Sequence, residues 1–187
     1  MNLLQAILNA QGGGTVKQLA QNFGLGEDQT VSALSNLIPA LSQGLMRNTS
    51  SSDGLQGLLS ALGSGNHQRY IDDPSTLDQQ DTVQDGNGIL GHLLGSKDVS
   101  RQVARQASAQ TGVGEDILKK MLPVVATMVM GSLSKQAPAL GLQNALGGSE
   151  SSGVMGMLSS FLDANQDGSV VDDVMGMVGK LFQKSGS

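Results

Sequence analysis

The stretch G-V-G-E-D-I-L-K-K-M-L-P-V-V-A-T-M-V-M-G, Gly112 to Gly131, joins a tight glycine turn to two acids and then to the longest apolar run of the chain. Acids directly after a turn suit the positive end of a helix, and the residues that follow are good helix formers. Earlier in the chain, G-L-G-E-D at Gly24 to Asp28 repeats the same opening, and Pro39 corresponds to Pro123 if about one helical turn is lost between them. A third pair, G-L-Q-G-L-L-S-A-L at Gly54 to Leu62 and G-V-M-G-M-L-S-S-F at Gly153 to Phe161, follows in the same order. A tandem duplication explains that order better than chance does.

Composition supports helices throughout. Three Phe, one Tyr and no Trp leave Leu, Val, Ile, Ala and nine Met to build the core, a mixture that favours helix over sheet. The 26 Gly cut the chain into short elements, since a glycine inside a helix costs about 1 kcal/mol relative to alanine. The fold class expected is all-α: two tandem, pseudo-symmetric sets of short helices that pack together, because each alone has a thin core.

Outward from the repeat, Asn2 to Ala10 carries Leu3, Leu4, Ile7 and Leu8 on one stripe and stops at Gly12-Gly13-Gly14, with Thr15 as the next N-cap. The helix after Gly24 is expected to reach about Gln43, with Pro39 kinking it or ending it early. From Asp72 to Asp85 there are five Asp, no Lys or Arg, one Pro and little apolar periodicity, the composition of a solvated linker. Residues 1–71 thus read as a first helical repeat, 72–87 as an acidic linker and 88–187 as a second repeat.

Several functional classes are excluded or disfavoured. The formal net charge of −5 gives no general attraction to nucleic acid or anionic lipid, and the absence of Cys removes disulfides, thiolate zinc sites and a cysteine nucleophile. The N-terminus has no basic residue before its apolar part, so it does not read as a secretory signal, and a cytoplasmic protein is expected. Met121 to Gly131 is too short and too interrupted for a membrane span of roughly 20 residues. No phosphate-binding glycine fingerprint, G-x-S-x-G elbow or H-E-x-x-H helix is present, so the chain is not expected to be an enzyme. His67 and His92 fall in different repeats without a second ligand at metal spacing and read as surface or helix-end residues.

The segments G-N-H-Q-R-Y-I-D-D-P, N-G-I-L-G-H-L-L-G-S-K, I-L-K-K-M-L-P-V-V-A and L-D-A-N-Q-D-G-S-V-V-D-D together resemble the YidB-like bacterial proteins grouped as domain of unknown function 937, over nearly the whole chain. That resemblance implies an all-α fold with a homeodomain-like helical element and brings no established activity.

The residues themselves also allow a helix-turn-helix, with Ala107, Thr111, Val113, Leu118 and Met121 spaced for two helices to cross at Gly112. Between Lys97 and Lys135, six basic residues against three acids leave a local net charge of about +3, the best argument for DNA. Glu115 and Asp116, however, would stand at the N-terminus of the recognition helix and repel phosphates. Nucleic acid is therefore the alternative. A protein-interaction or self-association module is the leading expectation, and the Gly and Met pattern of Gly153, Met155, Gly156 and Met157, repeated at Met175 to Gly179, offers either internal packing or an adaptable helix-binding surface.

One stretch looks like a chemical site. D-A-N-Q-D-G-S-V-V-D-D begins as an oxygen-lined calcium loop does, with Asp163, Asn165, Asp167, the carbonyl of Ser169 and the turn at Gly168. The bidentate acid that closes such a loop is replaced by Val174, and Asp173 is the favoured substitute. The expectation is weak to moderate calcium binding by Asp163, Asn165, Asp167, Ser169 and Asp173. The competing reading is a polar turn whose Asp172 and Asp173 stabilise the next helix through its dipole.

Overall fold

A computed structural model of the chain describes residues 3–64 and 66–138, and among these the secondary structure is helical throughout. The order is α1 (Leu3–Leu8), a 3-10 turn (Ala10–Gly13), α2 (Gly14–Phe23), α3 (Glu27–Thr49), α4 (Ser52–Ser64), α5 (Arg69–Asp72), a second 3-10 turn (Pro74–Asp78), α6 (Gln80–Leu94), α7 (Lys97–Thr111) and α8 (Glu115–Gln136). Thr15, expected as an N-cap, lies inside α2, and its buried hydroxyl donates back to the Ala10 carbonyl.

Helix α8 is the axis of the molecule. Every residue from Met121 to Ser134 is buried, and α1, α3, α4, α5, α6 and α7 all pack against it. A helix apolar on all sides needs a wall on all sides, and the surrounding helices supply it. Its length and composition would also suit a membrane span, but 83% of its most apolar window is buried inside the protein. The main core draws Leu3, Ile7, Leu19, Leu34 and Leu41 together with Leu118, Val125 and Leu133, and a small separate cluster joins Leu59 to Ala137.

Two helix pairs, α2–α3 and α7–α8, are joined by turns of matching sequence, Gly24-Leu25-Gly26 and Gly112-Val113-Gly114. Each turn opens on a glycine with positive φ, 64° at Gly24 and 72° at Gly112, where a side chain would be strained. The second turn is tightened by side chains: Ser108 Oγ donates to the Val113 carbonyl at 2.7 Å, and Thr111 Oγ1 to that of Ala107 at 2.8 Å.

Pro39 neither ends α3 nor shortens it to Gln43; the helix runs on to Thr49. Its apolar stripe explains why. Leu37, Ile38, Leu41 and Leu45 are all buried. At about 1.5–3 kcal/mol each, they outweigh the roughly 3 kcal/mol that an internal proline costs. Two long helices, α3 and α8, therefore accompany the short ones.

Residues 72–87, expected as a solvated linker, form the second 3-10 turn and the first half of α6. Asp73 starts the turn by accepting from the Ser75 amide at 3.1 Å and hydroxyl at 2.6 Å, and Leu77 is buried. Helix α6 then buries Thr82, Gly86, Ile89, Leu90 and Leu93, a helical stripe hidden in the sequence because its first two members are a Thr and a Gly. The Thr82 hydroxyl is satisfied by the Thr76 carbonyl. The five Asp remain exposed at the surface while the opposite side of the segment packs.

Candidate functional site

The residues of the calcium-loop expectation, Asp163, Asn165, Asp167, Ser169 and Asp173, lie outside the described residues, as do the Gly and Met strips of 153–179. Among the described residues no three His, Asp or Glu side chains gather to hold a metal ion.

His67 and His92, read as surface or helix-end residues of different repeats, line one cleft of about 440 Å³ together with Arg69, Tyr70, Asp85 and Met130. Tyr70 is buried, and its hydroxyl donates to Asp85 Oδ2 at 2.5 Å. Arg69 Nη2 donates to the Tyr70 oxygen at 2.6 Å and to Asp85 at 3.1 Å, with the guanidinium carbon 4.7 Å from the Tyr70 ring centroid. His67 Nε2 lies 3.2 Å from the Ala61 carbonyl. A carbonyl only accepts, so Nε2 carries the proton and Nδ1 is the bare nitrogen.

Two side chains of this cleft, His67 and Tyr70, are held in their neutral forms beside the Arg69–Asp85 ion pair. Burial holds His67 below its ordinary value, against the raising effects of the Ala61 carbonyl and the Asp85 charge. Burial, and next the bond to Asp85, pushes the Tyr70 phenol up, so Tyr70 stays a proton donor. Two more bonds secure the same segment: Lys135 Nζ to Asp72 at 2.6 Å and Gln68 Nε2 to the Ser134 carbonyl at 3.1 Å. The Arg69–Asp85 and Lys135–Asp72 pairs are about half exposed and worth little each, about 0–1 kcal/mol. What the cluster does is clasp α5 to α6 and α8.

The α7–α8 pair carries the acids weighed against DNA. Glu115 is bound by Lys119 at 2.8 Å and approached by Arg105 at 4.0 Å; the Lys119 hydrogen bond holds its carboxyl below the usual range. Lys119 also meets Asp116 at 3.6 Å. From Met121 to Ser134, α8 is walled in on every side. The corresponding first turns of α3, Glu27 to Asn36, contain no cation.

A surface groove of about 520 Å³ lies between α3, α6 and α7. It exists because α3 and α6 meet almost backbone to backbone: a Cβ on Gly44 would stand 2.5 Å from the Leu93 carbonyl oxygen. Helix α7 buries Ala104 and Ala107 against the core and turns Val99, Gln102, Val103 and Gln106 to the groove. Val99 is 39% exposed although it is a large apolar residue. Opposite stand Gln43, Arg47 and Asn48 of α3, with the Asn48 amide fixed to the His92 carbonyl. Among the described residues no acid lines the groove and the Arg47 guanidinium has no ion-pair partner. The sequence contained all of these residues, but nothing in their spacing showed that three helices would bring them together.

No curated protein and no solved structure matches the chain. A family model described as a bacterial protein of unknown function matches residues 5–136, from within α1 to the last residue of α8. The match therefore takes in nearly the whole helical body described above, and it stops before the acidic loop at Asp163, short of the nearly full-length likeness expected from the motifs. The chain belongs to this bacterial family of unknown function, DUF937.

Proposed function

We propose that the protein is a non-enzymatic binding module whose groove between α3, α6 and α7 receives a short amphipathic segment of another protein. The observation that carries this reading is that an exposed apolar residue, Val99, faces Arg47, a cation with no ion-pair partner among the described residues, across a groove rimmed by amides. An apolar side on the incoming segment covers Val99 and Val103. A carboxylate on its edge meets Arg47, and the amides of Gln43, Gln102 and Gln106 satisfy its polar backbone.

The test is the size of the protein in a native cell extract. Wild type is expected to elute with a larger species and Val99→Lys as the free chain. Co-elution of the two would remove the groove from the interaction. A purified wild-type dimer that Val99→Lys dissociates would assign the place to a second copy instead.

We also propose calcium binding at Asp163, Asn165, Asp167, Ser169 and Asp173. This rests on the alternate-position oxygen ligands and Gly168 in the sequence.

A further inference from the structure

On the other side of the α6–α7 turn from the groove lies a second cleft, of about 680 Å³, between α6, α7 and the first turns of α8. Its floor is apolar, from Leu90 and Leu122, and its walls hold Lys97, Arg101 and Lys119 with Asn87 and the hydroxyls of Ser96 and Ser100. Among the described residues no acid lines it, in a chain whose formal charge is −5. We propose that this cleft binds a compact phosphate-class dianion.

The three cations are not equal. Lys97 has no ion-pair partner among the described residues. Arg101 pairs with Asp98 at 3.1 Å, but the side chains are 61% and 89% exposed, so water already competes for that contact and a dianion displaces it readily. Lys119 is held by two carboxylates, Glu115 and Asp116, and contributes least. The dianion therefore sits toward Lys97 and Arg101. There it also meets the start of α7, where the Ser96 hydroxyl and carbonyl take up the Val99 and Ser100 amides and leave those of Lys97 and Asp98 without a helical acceptor.

The same geometry selects against a long polyanion. A phosphate group meets Lys97, Arg101 and the Ser96 hydroxyl, the Ser100 hydroxyl donating instead to the Ser96 carbonyl, whereas an extended phosphodiester that reached Lys119 would meet the Glu115 and Asp116 carboxylates paired with it and be repelled. The chemistry is that of a phosphomonoester, whether free or the headgroup of a lipid.

Titrating the full-length, isotope-labelled protein with inorganic phosphate, against chloride at matched ionic strength, tests the site by NMR. Saturable shifts centred on the Lys97 and Asp98 amides are expected. In Lys97→Gln/Arg101→Gln the affinity should fall at least about tenfold, the loss of one charge-assisted hydrogen bond or more, while Lys17→Gln binds as wild type. Glycerol 3-phosphate and vesicles containing phosphatidic acid distinguish the free from the lipid source, and binding of either at Lys97 supports the site. Shifts that match those of chloride, an unchanged affinity in the double variant, or tighter and steeply salt-dependent binding of a short DNA duplex would each overturn the proposal.

Discussion

Gly86 of α6 lies directly against the carbonyl oxygen of Pro123 in α8, so closely that a Cβ at Gly86 would overlap that oxygen and the carbonyl carbon behind it. The two helices meet backbone to backbone at this point, in the most extensive helix–helix contact among the described residues. Gly131 plays the same part further along α8, where a Cβ would stand 2.6 Å from the His67 carbonyl.

Gly86→Ala should therefore destabilise the protein by about 1–3 kcal/mol, the usual cost of overpacking a core where only backbone can yield. Gly88, two residues on, has nothing within 4 Å of a Cβ and no positive φ. Gly88→Ala should gain about 1 kcal/mol from helix propensity alone. Urea denaturation of the two variants checks both signs, and equal effects would refute the α6–α8 contact.

Tyr70→Phe removes the donor to Asp85 while keeping the ring in place. Asp85 is about half exposed and regains water, so the cost falls at the low end for a bond to a charged acceptor, about 1.5 kcal/mol. Chemical denaturation measures it. A loss near zero would mean that the clasp does not hold α5.

His67 gives the fold a pH dependence with a definite sign. Its folded-state pKa is lowered from 6.5 by burial, so the unfolded chain takes up the proton first as pH falls. The stability that neutral His67 contributes is present in full above 6.5 and is lost as pH falls through the lower folded-state value. Asp85 and Arg69, the charged neighbours, act in opposite directions and do not reverse the sign. The melting temperature of wild type should decline faster than that of His67→Gln on going from neutral to mildly acidic pH; parallel curves would contradict the burial of the ring.

Calorimetry with calcium addresses the acidic loop. Saturable heat is expected for wild type and none for Asp163→Ala/Asp167→Ala, with an affinity below that of a loop closed by a bidentate acid. No heat in wild type at millimolar calcium would leave the polar turn.

Much of the fold could be read from the residues. The all-helical class followed from composition, and the glycine turns at Gly24 and Gly112 were marked by their flanking acids. The first half of helix α6 escaped because Thr82 and Gly86 occupy core positions without looking apolar, and five Asp on its outer side and on the segment before it imitated a linker. The full length of α3 escaped because local propensity at Pro39 yields to burial of the stripe around it. Of the candidate sites, the convergence of His67 with His92 depends on α6 folding back over α5, and the groove depends on three helices meeting at Gly44; neither leaves a spacing in the sequence.

Site-specific photo-crosslinking from position 99 in living cells is the sharpest test of the groove. With a photoreactive residue at Val99, a discrete adduct of defined mass is expected, lost when Arg47→Glu is added and not seen from Lys17 on the exposed side of α2. No adduct from position 99, or the same adducts from Lys17, would show that the groove is not where this protein meets its partner.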